Sequence, residues 1–237
     1  TPVKDADGFG ILPERWRYDC VPAHLRYRNG DRTQPIKYAS LGDGPSEIIA
    51  TPVVYKGRVY APIGQDPEHR AGPGNYTCLD VATGKKVWDL PMNRSMSTAS
   101  IVDDLLYTGD FSGWLYCIDA HTGKILWKYD TQSEIWCSTL VADRKVYVGG
   151  LDRRLSIFAT DVMKKLSDDL GGNLEVVVNG KMLSLMKDEK VAKEIPAEGV
   201  FNEVTFPAEL HCSPIVAQGV LYVASFRCLY AFKAMDK

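Results

Sequence analysis

One ten-residue pattern occurs four times along the chain, and repetition constrains the fold more firmly than any local propensity. Its first copy is Thr51-Pro52-Val53-Val54-Tyr55-Lys56-Gly57-Arg58-Val59-Tyr60. A small hydroxyl residue opens it, an apolar run and a turn follow, and Tyr closes it. The pattern returns at Thr98 through Tyr107, Ser138 through Tyr147 and Ser213 through Tyr222, each time with Tyr nine residues after the hydroxyl. Strand, tight turn and strand make each copy a β-hairpin.

A second pattern follows the first two hairpins, Cys78-Leu79-Asp80-Val81-Ala82-Thr83-Gly84-Lys85-Lys86-Val87-Trp88 and then Cys117-Ile118-Asp119-Ala120-His121-Thr122-Gly123-Lys124-Ile125-Leu126-Trp127. Asp80, Thr83, Asp119 and Thr122 suit a turn through side-chain bonds to the backbone, Gly84 and Gly123 supply positive φ, and Trp88 and Trp127 sit on the returning strand, where they can pack on the neighbouring unit. A complete repeat is then four antiparallel strands in about 40 residues, the period of a propeller blade. The fold class is therefore all-β, a β-propeller of four-stranded antiparallel blades, partial at about four to five blades or else part of a seven- or eight-bladed ring.

The third repeat departs from the pattern after Leu155-Ser156-Ile157-Phe158-Ala159. Where turn and Trp are expected, residues 160–166 read as a weak strand or one short helix capped by Thr160. Val176 through Leu183 forms an Asn-Gly hairpin that overlays Val53 to Tyr60. The even spacing of starts favours a degenerate blade there, and five partial blades, over four with an insertion. Trp16-Arg17-Tyr18-Asp19 matches Trp127-Lys128-Tyr129-Asp130, so the chain opens on the last strand of a repeat and closes on the third strand of another at Cys228 through Lys233. The expected divisions are 1–46, a last strand plus loop; 47–92, 93–132 and 133–170, blades; 171–207, degenerate blade or insertion; and 208–237, a final incomplete blade.

The Asp-x-x-Thr-Gly-Lys-x-x-Trp turns resemble the tryptophan-docking motif of the quinoprotein-like, or PQQ-repeat, β-propellers. Glu47 through Tyr55, Gly64 through His69, Trp16 through Cys20 and Ile135 through Ser138 further resemble exported PQQ-like repeat proteins of planctomycete-type bacteria. The resemblance covers most of the chain apart from roughly residues 160–207. It implies a larger propeller than this length supplies, completed by more of the same polypeptide or by a second chain, and a periplasmic or secreted location. Its enzymes use adjacent cysteines, a Trp under the quinone, and an Asp base beside Ca²⁺. Other members keep the repeats without the chemistry.

Composition narrows the function from the other side. Twenty-eight Lys+Arg against 30 Asp+Glu leave a net charge of -2 without a dense basic cluster, which argues against nucleic acid. The longest uncharged run, Leu210 to Phe226, is too short and polar to span a bilayer. Six cysteines contain neither a CxxC nor a Cys-Cys pair, so they read as buried free thiols. Trp16, Trp88 and Trp127 belong to the repeat, which leaves Trp114 and Trp136 as stacking candidates.

Asp66 and Glu68, in the polar run Gln65-Asp66-Pro67-Glu68-His69, are the only candidate metal ligands, two carboxylates being a thin set for calcium. His24, His69, His121 and His211 are scattered, and no triad motif accompanies them. Asp103-Asp104 and Asp168-Asp169 read as turn or loop carboxylates, and Lys187 through Lys190 as a solvated face. No catalytic or cofactor-binding residue is assigned and no cofactor is expected. The expectation is a binding or scaffolding module with a protein partner, the alternative being part of a PQQ- and calcium-dependent alcohol or sugar dehydrogenase.

Overall fold

A computed structural model describes residues 3–4, 7–8, 10–11, 13–36, 46–65 and 72–233. A short pair, β1 (Val3–Lys4) and β2 (Gly10–Ile11), and one helical turn, α1 (Ala23–Arg26), precede the first blade. That blade is the antiparallel sheet β3 (Val53–Tyr55), β4 (Arg58–Ile63), β5 (Pro73–Asp80) and β6 (Lys86–Asn93). The second is β7 (Ser100–Val102), β8 (Leu105–Gly109), β9 (Trp114–Asp119) and β10 (Ile125–Asp130). The third begins with β11 (Leu140–Ala142), β12 (Lys145–Gly149) and β13 (Arg154–Ala159). The chain is thus an all-β propeller of four-stranded antiparallel blades, packed face to face over apolar layers.

One kind of turn organises the packing of residues 13–20 on the first blade and of the first blade on the second. Asp80 Oδ1 accepts the Thr83 N–H at 2.8 Å and its hydroxyl at 2.7 Å, and Asp119 does the same with Thr122 at 2.8 and 2.9 Å. These bonds hold Gly84 and Gly123 at φ +67 and +75, where a Cβ would strike the ring of Trp16 at 2.5 Å and of Trp88 at 2.7 Å. Glycine is therefore required twice over, by the left-handed backbone and by the indole lying on it. The same turns present a carbonyl to the ring. Trp16 Nε1 donates to Val81 O at 2.8 Å, and Trp88 Nε1 donates to Ala120 O at 3.0 Å, which also accepts the Tyr60 hydroxyl at 3.1 Å. Residues 13–20 form no strand, yet Trp16 docks as the outer-strand Trp of the repeat does.

The hydroxyls that open the repeats form a second link. Thr51 N–H donates to Thr98 Oγ1 at 3.1 Å, Thr98 N–H to Ser138 Oγ at 3.1 Å, and Ser138 N–H to Ser213 Oγ at 2.8 Å. This ladder passes directly from the third repeat to Ser213 and takes in nothing from residues 171–207. The expectation of a degenerate blade there is corrected by the pairing as well. After β13 comes α2 (Thr160–Leu170), then β14 (Leu174–Asn179), β15 (Met182–Lys187) and β16 (Lys190–Pro196), and only then β17 (Phe201–Thr205), which pairs with β13 as the fourth strand of the third blade. The Asn-Gly hairpin is an insertion. β14 runs parallel to β10, Trp127 opposite Leu174, and extends the second blade to a seven-stranded sheet. A final sheet, β18 (Ile215–Ala217), β19 (Val220–Ala224) and β20 (Leu229–Lys233), has three strands.

Helix α2 replaces the third docking turn. Val162, Met163, Leu166 and Leu170 recur at helical spacing, with Met163 and Leu166 buried, and Gly171 ends the helix at φ 76 with Gly172 N–H bonded to Ser167 O at 2.8 Å. Thr160 is the first helical residue and does not cap, and Asp168 and Asp169 lie in the helix instead of a loop.

The exchange has a consequence for the layer beneath. Thr160 holds the position of Val81 and Ala120, but its carbonyl is committed to the first turn of the helix. Trp127 Nε1 and the Tyr107 hydroxyl, the counterparts of Trp88 Nε1 and the Tyr60 hydroxyl, are buried with no hydrogen-bond partner. Tyr60→Phe should therefore cost about 1 kcal/mol, and the same change at Tyr107 should be neutral or stabilising. Urea unfolding of both variants checks this; an equal loss at the two sites would contradict the account.

Candidate functional site

The insertion builds a wide cleft. About 1020 Å³ in volume, it is lined by Tyr129 and Asp130 of β10, Glu175 to Val178 of β14, Lys181 and Met182 at the hairpin, and Phe201, Asn202 and Glu203 of β17. Its walls belong to two blades, because β14 is bonded to the second and β17 to the third. Beneath it Tyr129, Phe158 and Phe201 pack ring on ring, with centroids 4.8 to 5.7 Å apart.

β17 offers a free edge here. The bonds Ala159 N–H to Val200 O and Phe206 N–H to Arg153 O fix the phase of the ladder, so Asn202 and Val204 turn their backbone groups toward β13. Glu203 and Thr205 turn theirs outward. The Glu203 N–H is met only by the side chain of its neighbour, Asn202 Oδ1, at 2.9 Å.

The cleft is acidic in balance. Asp130, Glu175, Glu198 and Glu203 line it against Arg154 and Lys181. Glu175 is paired with Lys128 at 3.1 Å, and Arg154 is engaged by Asp152 and by Glu203 at 3.4 Å. Asp130 and Glu198 have no ion-pair partner among the described residues, so carboxylate is in surplus.

None of these residues was read as a site residue from the sequence: Tyr129-Asp130 and Val176 to Met182 entered only as repeat and hairpin patterns, and the signal for a site lay in the mismatch of residues 160–207 with the repeat. The residues that were singled out lie elsewhere. Asp66 and Glu68 fall outside the described residues. Trp114 carries the Lys128 ammonium 3.9 Å over its ring, and Trp136 stands in an aromatic row with Phe111, His211 and Phe226 that crosses from the second blade to the last. Of the histidines, His24 is exposed, His121 meets Asp104 at 2.9 Å beside Lys56, and His211 meets Glu209 at 3.0 Å.

Among the described residues, no donor set fit for PQQ and calcium assembles. The sequence has no adjacent cysteines, and among the described residues no three His, Cys, Asp or Glu side chains gather as metal ligands. Cys20, Cys78, Cys117 and Cys137 are buried, and burial pushes the Cys137 thiol up to about 11. Cys212 and Cys228 are exposed, which corrects the expectation that all six are buried.

One carboxylate is buried whole. Asp110, after β8, accepts the Tyr116 hydroxyl at 2.8 Å, Asn93 Nδ2 at 3.2 Å, and the N–H groups of Ser112 and Trp114 at 2.9 and 3.1 Å. Burial raises its carboxyl above the usual range, and these bonds only partly oppose that.

The family model described as outer membrane protein assembly factor BamB matches residues 73–165. The outer membrane protein assembly factor BamB of Shewanella oneidensis is 30% identical over 82 residues, 33% of this chain and 21% of that protein. The quinohemoprotein alcohol dehydrogenase ADH-IIG of Pseudomonas putida is 34% identical over 124 residues, 47% of this chain and 16% of that protein. The matches thus span about a fifth or less of these relatives. Among solved structures, the computationally designed Ika4 protein superposes with a TM-score of 0.51 at 13% identity, over 83% of this chain and 97% of that one, a likeness of fold alone. An assembly factor and an oxidoreductase share these repeats, so the repeats do not select a chemistry.

Two measurements test the buried groups. A thiol reagent should label two cysteines in the native chain and six after denaturation; slow labelling of Cys212 or Cys228 would place them in an interior. For Asp110, a raised folded pKa means that the native state keeps a proton the unfolded chain has already lost, so stability falls as pH rises from the usual carboxylate value of 3.8 through the raised one. Asp110→Asn does not titrate. Its stability relative to the parent should rise across that interval and level off above it, and a gap independent of pH would show that Asp110 is unshifted.

Proposed function

We propose that this chain is a non-catalytic PQQ-like propeller module that binds an extended segment of a protein partner, in the periplasm or outside the cell. The cleft between the insertion and the third blade carries the reading. It sets an outward-facing strand edge beside an apolar floor, the arrangement in which a peptide adds as a further strand and gains main-chain hydrogen bonds. The surplus of carboxylate selects a basic segment, and Val177, Val178 and Met182 offer apolar contact to alternate side chains.

Two further considerations support it. One relative is named an assembly factor of the outer membrane, which also favours the location. Among the described residues no helix is long and apolar enough to cross a membrane. The dehydrogenase relative favours a second reading, part of a PQQ- and calcium-dependent enzyme, against which stands the donor set described above.

Panning of a random peptide library on the purified chain tests the proposal. It should enrich Lys- or Arg-containing β-prone sequences, and Glu203→Pro, which removes an outward N–H without touching the β13 ladder, should weaken their binding at least tenfold. Enrichment indifferent to Glu203→Pro would place the peptide elsewhere. Turnover of alcohols or aldoses with PQQ, Ca²⁺ and a dye acceptor would sink the non-catalytic reading.

A further inference from the structure

The cleft built by the insertion adjoins another. A second cleft of about 500 Å³ is lined by Phe111 and Ser112 after β8, Ser133 and Glu134 after β10, and Leu151 and Asp152 after β12. Gln132 lines both. Arg154 joins them as well. It lines the first cleft, is bonded to Asp152 of the second, and donates from Nη2 to Thr131 O at 2.9 Å. Thr131 directly precedes Gln132, so one guanidinium braces the sill between the two clefts.

The backbone of that sill is fixed, and one side chain on it is idle. Asp130 Oδ1 accepts the Gln132 N–H at 2.8 Å, and Gly113 O accepts the Thr131 N–H at 2.9 Å. Thr131 Oγ1 lies 2.8 Å from both Gly113 O and Ser133 O, and Ser133 Oγ accepts the Asp152 N–H at 2.9 Å. Gln132 is held at φ 58, a left-handed conformation that glycine and asparagine adopt with least strain. Such strain persists only where the surroundings over-determine it. Here it leaves Gln132 exposed, with an amide that makes no hydrogen bond among the described residues. An amide offers both acceptor and donor, the complement of a main-chain N–H and C=O.

The second cleft also repeats the charge of the first. Asp152 is neutralised by Arg154, whereas Glu134 is exposed and has no ion-pair partner among the described residues. Phe111 and Leu151 supply apolar surface beside it. Carboxylate, apolar wall and idle amide together suit an extended cationic chain, the chemistry already assigned to the edge of β17.

We propose, resting on the reading of β17 given above, that the partner's basic segment does not stop at that strand. It crosses Gln132, whose amide bonds its main chain, and sets a further Lys or Arg on Glu134 in the second cleft. β17 has five residues and spans about 17 Å. Residues of the partner beyond those paired with it are the ones the second cleft holds, and Gln132 is the positioning residue between the two.

Fluorescence anisotropy of labelled peptides on the 237-residue chain tests this. A hexapeptide of alternating Lys and Val covers β17, and a dodecapeptide continues the alternation by about 20 Å. The dodecapeptide should bind about tenfold tighter, the effect of one added charged hydrogen bond. Gln132→Gly and Glu134→Gln should each remove most of that gain and leave hexapeptide affinity unchanged. Gln132→Gly relieves the left-handed strain, so its melting temperature should stay at or above the parent's, and a lost gain then reports the amide. Should that variant fail to fold, Gln132→Asn, which suits the same conformation and shortens the amide's reach, takes its place. Equal binding of the two peptides, both weakened by Glu203→Pro, overturns the second cleft and leaves the strand reading standing. A gain that survives Gln132→Gly overturns it too. Hexapeptide binding indifferent to Glu203→Pro defeats the strand reading itself, and this proposal with it.

Discussion

The carbonyl of one turn residue holds the junction between the first two blades, and much of the architecture follows from whether such a carbonyl exists. Ala120 O accepts from Trp88 Nε1 and the Tyr60 hydroxyl, with Arg58 Nη1 at 3.4 Å and on His121 O at 2.7 Å. The ring closes over a glycine that no other residue can replace without strain. Sequence, backbone sign and packing all agree at this point, as expected of a locally consistent fold. Where helix α2 takes the turn's place, the hydrogen-bonding half of the device is lost and the packing half is rebuilt from Met163 and Leu166. Two orphaned donors cost about 1–3 kcal/mol each, and burying two such apolar side chains returns about 1.5–3 kcal/mol each. The two terms are of equal order, which is why a blade junction survives the loss of its docking turn.

That exchange also explains what was readable in the sequence. The turns at Asp80 and Asp119 carry their chemistry within five residues, so Asp, Thr, Gly and the returning Trp announce strand, turn and docking together. The four opening residues were equally legible, because Thr51, Thr98, Ser138 and Ser213 are linked in one ladder of N–H to hydroxyl bonds. Trp16 was recognisable although its segment forms no strand, since Trp16-Arg17-Tyr18-Asp19 repeats the outer-strand sequence Trp127-Lys128-Tyr129-Asp130, and in the structure Trp16 keeps that strand's docking bond.

The insertion was not legible for the opposite reason. Val176 to Leu183 has the hairpin pattern of a blade start, and an Asn-Gly turn with alternating apolar residues describes any hairpin. What separates it from a blade is the parallel pairing of β14 with β10 and the return of the chain to β13 through β17, both contacts between residues far apart in sequence. The missing hydroxyl was the available sign. No Ser or Thr precedes Val176 where Thr51 precedes Val53, so the segment has nothing with which to join the ladder. The cleft inherits this illegibility, since its residues come from four separate stretches brought together by those same pairings.

The insertion does more than decorate the junction it disturbs. It leaves the third blade after β13, bonds to the second blade through β14, and returns to the third through β17, so one continuous stretch is hydrogen-bonded to both neighbours. This restores between the second and third blades the polar linkage that α2 removed, and moves it from the buried turn to the outer rim. Strand β16, exposed along nearly all its length and carrying Lys190, Lys193, Glu194 and Pro196, closes the extended sheet against further pairing. The edge of β17 carries a single charge, Glu203, whose N–H is met by a neighbouring side chain alone. One edge is protected and the other is left open at the base of a cleft, and that asymmetry is the physical reason for placing a binding strand on β17.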